Sequence, residues 1–466
     1  MSGEAGMHQA QCVVYSKRTA KLMASVKLNQ GRGDEAWSNL KEGGDVEAGK
    51  KNSRPAKTGK QRLRWNLIFN LLILILLPLP IWLPFLTEYL GVPLVSFILL
   101  PSIQGFFLLF WIVVSLQAIR TVSIMYANRD TDFREEVKKL PAKYSENRPR
   151  HVAVISCYKE PVDLIAGTID TLASQTLASE ITMVVSFEER TPDLKYKQGA
   201  LCDRFGQKFH EIIFTIHPYG LEDEIPGKCS NANCGIRTAL AHVKRSAATE
   251  ADFDPDRIII TTCDADSKFH PRYMEALTYK YLTAKDGVTG CVYQAPLLYN
   301  WKLDELSFVT RVTGVVRAFL MMGAMIPFNI NTMSIFSFSA SLCIRGDFIH
   351  PGYQMDDIIA LIRWMGVCRR RIQIVMVPVP VLSGPTTGRV IEEEIKEWAV
   401  QARRWTIGAG EVFHYFIVKS RGIPFFTGLF WGCLFFMYYG KAEEFHQSRK
   451  MDNSGVNEQM RFPSHA

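Results

Sequence analysis

Asp264-Ala265-Asp266 sets two carboxylates one residue apart, directly after the apolar run Arg257-Ile258-Ile259-Ile260-Thr261-Thr262-Cys263. The run is short, β-branched and bounded by polar residues, which predicts a buried strand. A strand that ends in two carboxylates presents both at the C-terminal edge of a sheet, where open α/β sheets bind ligands. The pair suits a divalent cation that also holds phosphate oxygens, because Mg²⁺ commonly shares one or two carboxylates with substrate phosphates. Taken alone, the same pair also describes a solvated turn with an aspartate N-cap.

Five further stretches carry reactive side chains. Cys157-Tyr158-Lys159-Glu160 follows a predicted strand; Tyr158 could lie beside a base, and Glu160 could accept hydrogen bonds from a nucleoside. Ser186-Phe187-Glu188-Glu189 follows the next strand and adds acceptors on the same edge. In Gly227-Lys228-Cys229-Ser230-Asn231 a cation stands just before a helix, where the dipole also favours phosphate; a solvated lysine beside an Asn N-cap is the plain alternative. Met355-Asp356-Asp357 opens an amphipathic segment that runs to Val367. Acidic residues at a helix start complement the dipole. A carboxylate close to another, and partly desolvated, also has the raised pKa that suits a general base. Gln401-Ala402-Arg403-Arg404-Trp405 lies on a helix that begins near Glu392. Arg404 has the fork geometry for a diphosphate and Trp405 a flat face for a sugar ring. A basic aromatic helix at a membrane interface reads the same way.

The elements that must position these residues alternate. His151–Ser156, Ile181–Val185 and Ile212–Ile216 read as strands, and Pro161 and Asn231 open helices between them. This predicts an α/β domain over 148–385 with a mostly parallel sheet.

Two long apolar runs precede that domain, 65–86 and 94–119, each long enough to cross a bilayer as a helix. Lys57, Lys60, Arg62 and Arg64 precede the first, Arg120 and Arg129 follow the second, and the loop between holds no Lys or Arg. The positive-inside rule then puts both outer flanks in the cytosol. A third run, 423–439, is at the lower limit for a span or lies at the interface. Residues 1–64 hold 13 Lys and Arg against 6 Asp and Glu, nearly all of the net charge of +8. That segment is expected to be a disordered tail, free in solvent or resting on anionic lipid. Segment 120–147 reads as a linker, 386–420 as an interfacial helix and 440–466 as a second tail. The folded part carries no basic track, which excludes nucleic acid as partner. None of the 10 cysteines forms a C-x-x-C pair, and buried reduced thiols are the simplest account of them.

The ordered set resembles the membrane-bound family-two glycosyltransferases, above all the cellulose synthase-like and chitin or hyaluronan synthase group. It comprises Tyr-Lys-Glu-Pro, an acidic second loop, Gly-Lys with a following Asn, D-x-D, an acidic pair opening a helix and Q-x-x-R-W. The resemblance covers roughly 150–415. It implies a GT-A fold, a Rossmann-like cytosolic domain with flanking transmembrane helices, and inverting transfer from a nucleotide sugar, with a UDP-sugar expected. The acceptor would be the hydroxyl of a growing polysaccharide. The resemblance further implies that Asp266 ligates Mg²⁺ or Mn²⁺, with Asp264 at the metal and the nucleotide. Lys228 would stand at the donor, Asp357 would be the base, and Glu160 and Glu188 would contact the nucleoside. Gln401, Arg404 and Trp405 would hold the diphosphate and the acceptor end. Ser339–Arg345 matches a family stretch near the acceptor. An integral protein of the plasma membrane, Golgi or endoplasmic reticulum is implied, alone or beside other synthase subunits. Two departures stand out: T-E-D has become M-D-D, and one apolar run follows Q-x-x-R-W where polymer-extruding synthases have several. Non-processive transfer to a lipid or short glycan, or an inactive scaffold, therefore stay open beside polymer synthesis.

Overall fold

The computed structural model describes residues 12–14, 79–145, 147–221, 224–247, 253–299, 301, 306–353, 355–384, 388 and 390–401. They fall into two compact units. The larger takes 12–14 and most of 114–384; the smaller takes 79–113, 307–310 and 388–401.

The larger unit is built on an eight-stranded sheet. Its strands are β1 (Cys12–Val14), β2 (Arg150–Cys157), β3 (Ile181–Glu188), β4 (Glu211–His217), β5 (Ile258–Cys263), β7 (Cys291–Gln294), β9 (Phe336–Ser339) and β10 (Gln373–Met376), in the order β1-β4-β3-β2-β5-β9-β7-β10. All pairs are parallel except those made by β9, which runs antiparallel to both β5 and β7. A small second sheet joins β6 (Lys268–Phe269), β11 (Val381–Leu382) and β8 (Leu297–Leu298). Every residue of β3 and β5 is buried. Continuous apolar strands of this kind are expected where helices cover both faces.

The strand order reverses between β2 and β5. The chain moves outward from β2 through β3 to β4, then returns to place β5 on the other side of β2. A crevice opens at such a reversal, outside the carboxyl ends of the strands. Glu160 follows β2 and Asp264-Ala265-Asp266 follows β5, so the fold brings both to that crevice.

The helices that matter here are α1 (Leu79–Tyr89), α2 (Pro93–Ala127), α3 (Phe133–Lys138), α4 (Val162–Ala173), α5 (Leu194–Phe205), α6 (Lys228–Ser246), α7 (Tyr273–Thr283), α8 (Phe308–Leu320), α9 (Ala340–Arg345) and α10 (Asp356–Cys368). Helix α6 lies close on β2 and β3: a Cβ on Gly235 would come within 3.1 Å of Ser186 and Val154. It begins at Lys228 rather than at Asn231, because Gly227 takes a positive φ of 152° that lets the chain turn there. Asn231 is therefore inside the helix and not its cap. Its Nδ2 donates to the carbonyls of Cys157 (3.2 Å) and Ser186 (2.8 Å), tying the ends of β2 and β3 together.

Three expectations change. Cys12–Val14 forms an edge strand on β4, so the basic segment is not wholly unstructured; its β-branched residues suit the open edge of the sheet. Helix α2 runs from 93 to 127, eight residues past the apolar run, because Arg120–Ala127 contains a single charge and no helix breaker. At 1.5 Å per residue it measures about 52 Å, more than the hydrocarbon core of a bilayer. A second long apolar helix, Phe308–Met325, ends in a π-helical stretch from Met321 to Met325 and lies inside the segment read as α/β. It is closed against α2 within the larger unit: Thr121 Oγ1 donates to the Met322 carbonyl at 2.8 Å, and Gly323 lies on the Val114 backbone. Among the described residues these two helices are long and apolar enough to cross a membrane. Of run 65–86 only α1 is described, and 423–439 lies outside the described residues.

Cys157, Cys229, Cys234, Cys263, Cys291, Cys343 and Cys368 are free thiols. Cys202 departs from the expected reduced state and is disulfide-bonded.

Candidate functional site

Five residues from three separate stretches meet at the crevice. Lys228, the first residue of α6, is at their centre. Its Nζ lies 2.6 Å from Asp264 Oδ1 and 3.2 Å from Asp356 Oδ2, and it donates to the Ser334 carbonyl at 3.0 Å. Two carboxylates and a carbonyl thus surround the ammonium. Lys228 therefore faces protein carboxylates here, not outward toward a phosphate.

The electrostatics follow from that arrangement. Burial would raise the Asp264 carboxyl, but the charge and hydrogen bond of Lys228 outweigh it and hold Asp264 below the usual range. The same carboxylates hold the Lys228 ammonium well above its ordinary value against the opposing effect of burial. Asp266 lacks that partner. Burial, then the negative charge of Asp264, pushes its carboxyl up to about 7, and Glu160 adds to the effect. Asp357 behaves alike: burial, then Asp356, raises it to about 7. Asp356 is also raised by burial, with Lys228 opposing.

Local structure explains the placement. Asp264 and Asp266 leave the end of β5 in a tight turn, closed by Ser267 Oγ donating to the Asp264 carbonyl at 2.9 Å. Asp356 and Asp357 open α10 behind its N-cap Met355, and both are buried. Thr332 Oγ1 donates to the Asp357 carbonyl at 3.2 Å. Gly384 lies against Asp266: a Cβ there would collide with the carboxylate, so only glycine leaves that oxygen clear.

The remaining sequence candidates stand as follows. Glu160 is close enough to influence Asp266, and its Oε2 accepts from the Tyr158 N–H at 2.5 Å. Glu188 is buried at the end of β3 and lines a small separate pocket with His217, Tyr219 and Glu224. Arg190 lies 3.7 Å over the Tyr219 ring beside it, and His217 Nε2 is 2.8 Å from Glu224 Oε2. Gln401 is the last described residue of the helix over 391–401; Arg404 and Trp405 lie outside the described residues. Ser339–Arg345 is a buried strand end and a short helix, capped by Ser339 Oγ accepting from the Leu342 N–H at 2.9 Å.

Some residues escaped the sequence reading. Ser334 bonds Lys228 through its carbonyl and Asp264 through its side chain. The charge of Arg317 also lowers Asp264, and Arg317 Nη2 donates to Tyr299 Oη at 2.9 Å. Asn331 is 1% exposed, and among the described residues neither its amide oxygen nor its nitrogen has a partner. It directly precedes Thr332, which holds Asp357. Buried amides are ordinarily satisfied, so this one stands out. None of these has a sequence motif.

The donor set fits a divalent cation. Two oxygen ligands one residue apart, one of them with its carboxyl raised by burial and then by the other's charge, gain from a cation that relieves the repulsion. Among the described residues no three His, Cys, Asp or Glu side chains form a closed metal cage. A cation shared between one or two carboxylates and substrate phosphates needs none.

No family model matches the chain, and no curated protein matches it. Solved structures are similar in part. A mannosyltransferase from Pyrobaculum calidifontis in complex with GDP-Man and Mn²⁺ aligns with TM-score 0.41 and 14% identity, over 74% of this chain and 91% of that one. TarS 1–349 of S. aureus aligns with TM-score 0.32 and 10% identity, over 59% of this chain and 74% of that one. Glucosyl-3-phosphoglycerate synthase from Mycobacterium tuberculosis, in complex with Mn²⁺, UDP and phosphoglyceric acid, aligns with TM-score 0.29 and 13% identity. It covers 57% of this chain and 84% of that one.

Proposed function

We propose that the chain is a membrane-bound glycosyltransferase of GT-A fold. It moves a sugar from a nucleotide-sugar donor, a UDP-sugar, to a hydroxyl of a glycan acceptor with inversion at the anomeric carbon. The observation that carries this reading is the gathering of Asp264, Asp266, Asp356 and Asp357 around Lys228 at the strand-order reversal. The neighbouring solved enzymes that carry Mn²⁺ with a nucleotide or nucleotide sugar are in keeping with it.

In this reading Asp266 holds Mg²⁺ or Mn²⁺, with Asp264 also contacting the nucleotide. The cation, when bound, neutralises charge that grows on the departing diphosphate. Lys228 is a positioning residue that fixes Asp264 and Asp356 from the start of α6. Asp357 accepts the proton of the attacking hydroxyl, and its raised carboxyl suits a base that works near neutral pH. The acceptor oxygen bonds to the anomeric carbon as the carbon–oxygen bond to phosphate breaks, and the electron pair leaves with the diphosphate. Glu160 contacts the nucleoside, Glu188 extends that end, and Gln401, Arg404 and Trp405 hold the diphosphate and the acceptor. The M-D-D sequence keeps the last aspartate, which is the one assigned the proton transfer.

Labelled UDP-glucose, UDP-N-acetylglucosamine and GDP-mannose offered to membranes containing the chain test the reading. Donor-dependent product is expected, lost when Asp266→Ala and Asp357→Asn are combined. Activity that survives in the double variant overturns the assignment. Product length separates a polysaccharide from a single sugar on a lipid or short glycan.

A further inference from the structure

A cavity of about 280 Å³ lies in the larger unit on the last turns of α2. Its walls are apolar: Val122 and Met125 from α2, Phe133 from α3, and Val379 ahead of β11. Phe133 and Val379 are buried, at 1% and 5% exposure, whereas Val122 is open to solvent. The cavity is thus lined from inside the fold and open on the helix side.

Its polar groups include two guanidinium groups, the Asn128 amide and the His270 ring, which burial holds toward its neutral form. Arg129 and Arg272 line it together with His270. Arg272 Nη1 donates to the Thr131 carbonyl at 3.0 Å, and no carboxylate pairs with Arg272 among the described residues. Arg129 stacks over Tyr126 at 4.2 Å and pairs with Asp130 at 2.9 Å, both of them solvent-exposed. The other nearby carboxylate, Asp132, is spent on the N-cap of α3, where it accepts from the Arg134 and Glu135 N–H groups. An apolar slot with two guanidinium groups matches an amphiphile with an apolar tail and an anionic head.

What would fill it follows from α2. The same helix exposes Leu116 at 62% and Ile119 at 63%, one to two turns before Val122. Val122, on the open side of the cavity, continues the spacing of Leu116 and Ile119 along the helix, with Arg120 and Ser123 also exposed beside them. Such a helix, exposed and apolar, buries its surface in lipid. Arginines at the end of the apolar stretch then meet the headgroup layer of a cytosolic leaflet, which carries negative charge.

We propose that this cavity binds one anionic phospholipid, with an acyl chain between α2 and Val379 and the phosphate on Arg129 and Arg272. The inference rests on α2 meeting a bilayer, one part of the function proposed above. Sugar transfer is not its readout, so its failure and the failure of the catalytic assignment are separate results.

The test uses the full chain purified in detergent, titrated with dioleoyl phosphatidylserine, dioleoyl phosphatidylcholine and inorganic phosphate, with bound species counted by native mass spectrometry. One phosphatidylserine is expected to bind at least tenfold more tightly than phosphatidylcholine. Arg129→Gln with Arg272→Gln is expected to abolish that preference. Val379→Trp, which fills the slot, is expected to weaken both lipids at least tenfold. Should that variant melt early, Val122→Trp on the open face serves instead. Equal affinity for the two lipids, binding unchanged in the variants, or displacement of phosphatidylserine by millimolar phosphate would each overturn the proposal.

Discussion

At the scale of single residues, the site is a balance between four carboxylates and one ammonium. Asp357 must be ionised to accept a proton, yet its carboxyl is raised to about 7 by burial and by Asp356. Turnover should therefore climb as pH rises, about tenfold per unit below pH 7, and level off above it. A kcat profile that is flat from pH 5 to 8 would remove Asp357 from the role. Asp357→Asn should lower kcat by about 10²- to 10⁴-fold, the usual contribution of a general base, with donor affinity retained. Asn331 makes a sharper case. Because both ends of its buried amide lack partners among the described residues, Asn331→Leu should leave the thermal midpoint unchanged or higher while turnover falls. A drop in both would mean that the amide serves the fold. The D-x-D, Lys228 and the acidic pair could be singled out in the sequence because each stands at an element boundary, although a capped turn, a solvated lysine and a helix dipole account for the same residues. The partnering of Lys228 was not legible. It depends on contacts with Asp264 and Asp356, far away in the chain, which no local pattern encodes.

Elements explain why those residues meet. The four parallel strands from β2 to β5 were readable from compact β-branched runs with helices between them; their order, and so the reversal that creates the crevice, is set by which strands pair and was not. The antiparallel β9 was not, since a strand's direction is set by its partners and not by its own composition. Helix α8 escaped notice for a different reason. Thr310, Arg311, Thr313, Gly314 and Arg317 interrupt its valines and phenylalanines, so no continuous apolar run shows in the sequence. Packing behind α10 is tight and testable. Trp364 is fully buried, donates from Nε1 to the Phe348 carbonyl at 3.0 Å and meets Phe338 edge-on at 4.7 Å. Gly346 lies against that ring with a φ of −81°, which any residue can adopt, so only space excludes a side chain. Gly346→Ala should cost about 1–3 kcal/mol as overpacking, read as a lower urea midpoint with unchanged slope. An unchanged midpoint would show that the Trp364 pocket yields.

For the molecule as a whole, composition separated a basic N-terminal segment, apolar runs and a near-neutral segment expected to be α/β. It could not anticipate that Cys12–Val14 would join the sheet, because three residues give no periodicity. Stability across pH tests the folded domain. Burial, then Arg148, lowers the His151 imidazole to about 3, so the fold keeps it neutral. The unfolded chain takes up a proton below about pH 6.5, so this term destabilises the fold as pH falls, by at most about 1.4 kcal/mol per unit. Asp266 and Asp357, raised in the fold, act in the opposite sense. The difference between wild type and His151→Gln in urea at pH 7 and pH 5 isolates the histidine: the variant should lose less stability on acidification, and equal losses would refute the burial argument. The centre of the account is the proposed cation site at Asp266, completed by nucleotide phosphates, and Mn²⁺ binding measured by electron paramagnetic resonance, with and without UDP, addresses it most directly. UDP-dependent binding should be present in wild type and in Asp357→Asn and absent in Asp266→Ala; Mn²⁺ bound as well by Asp266→Ala as by wild type would contradict it.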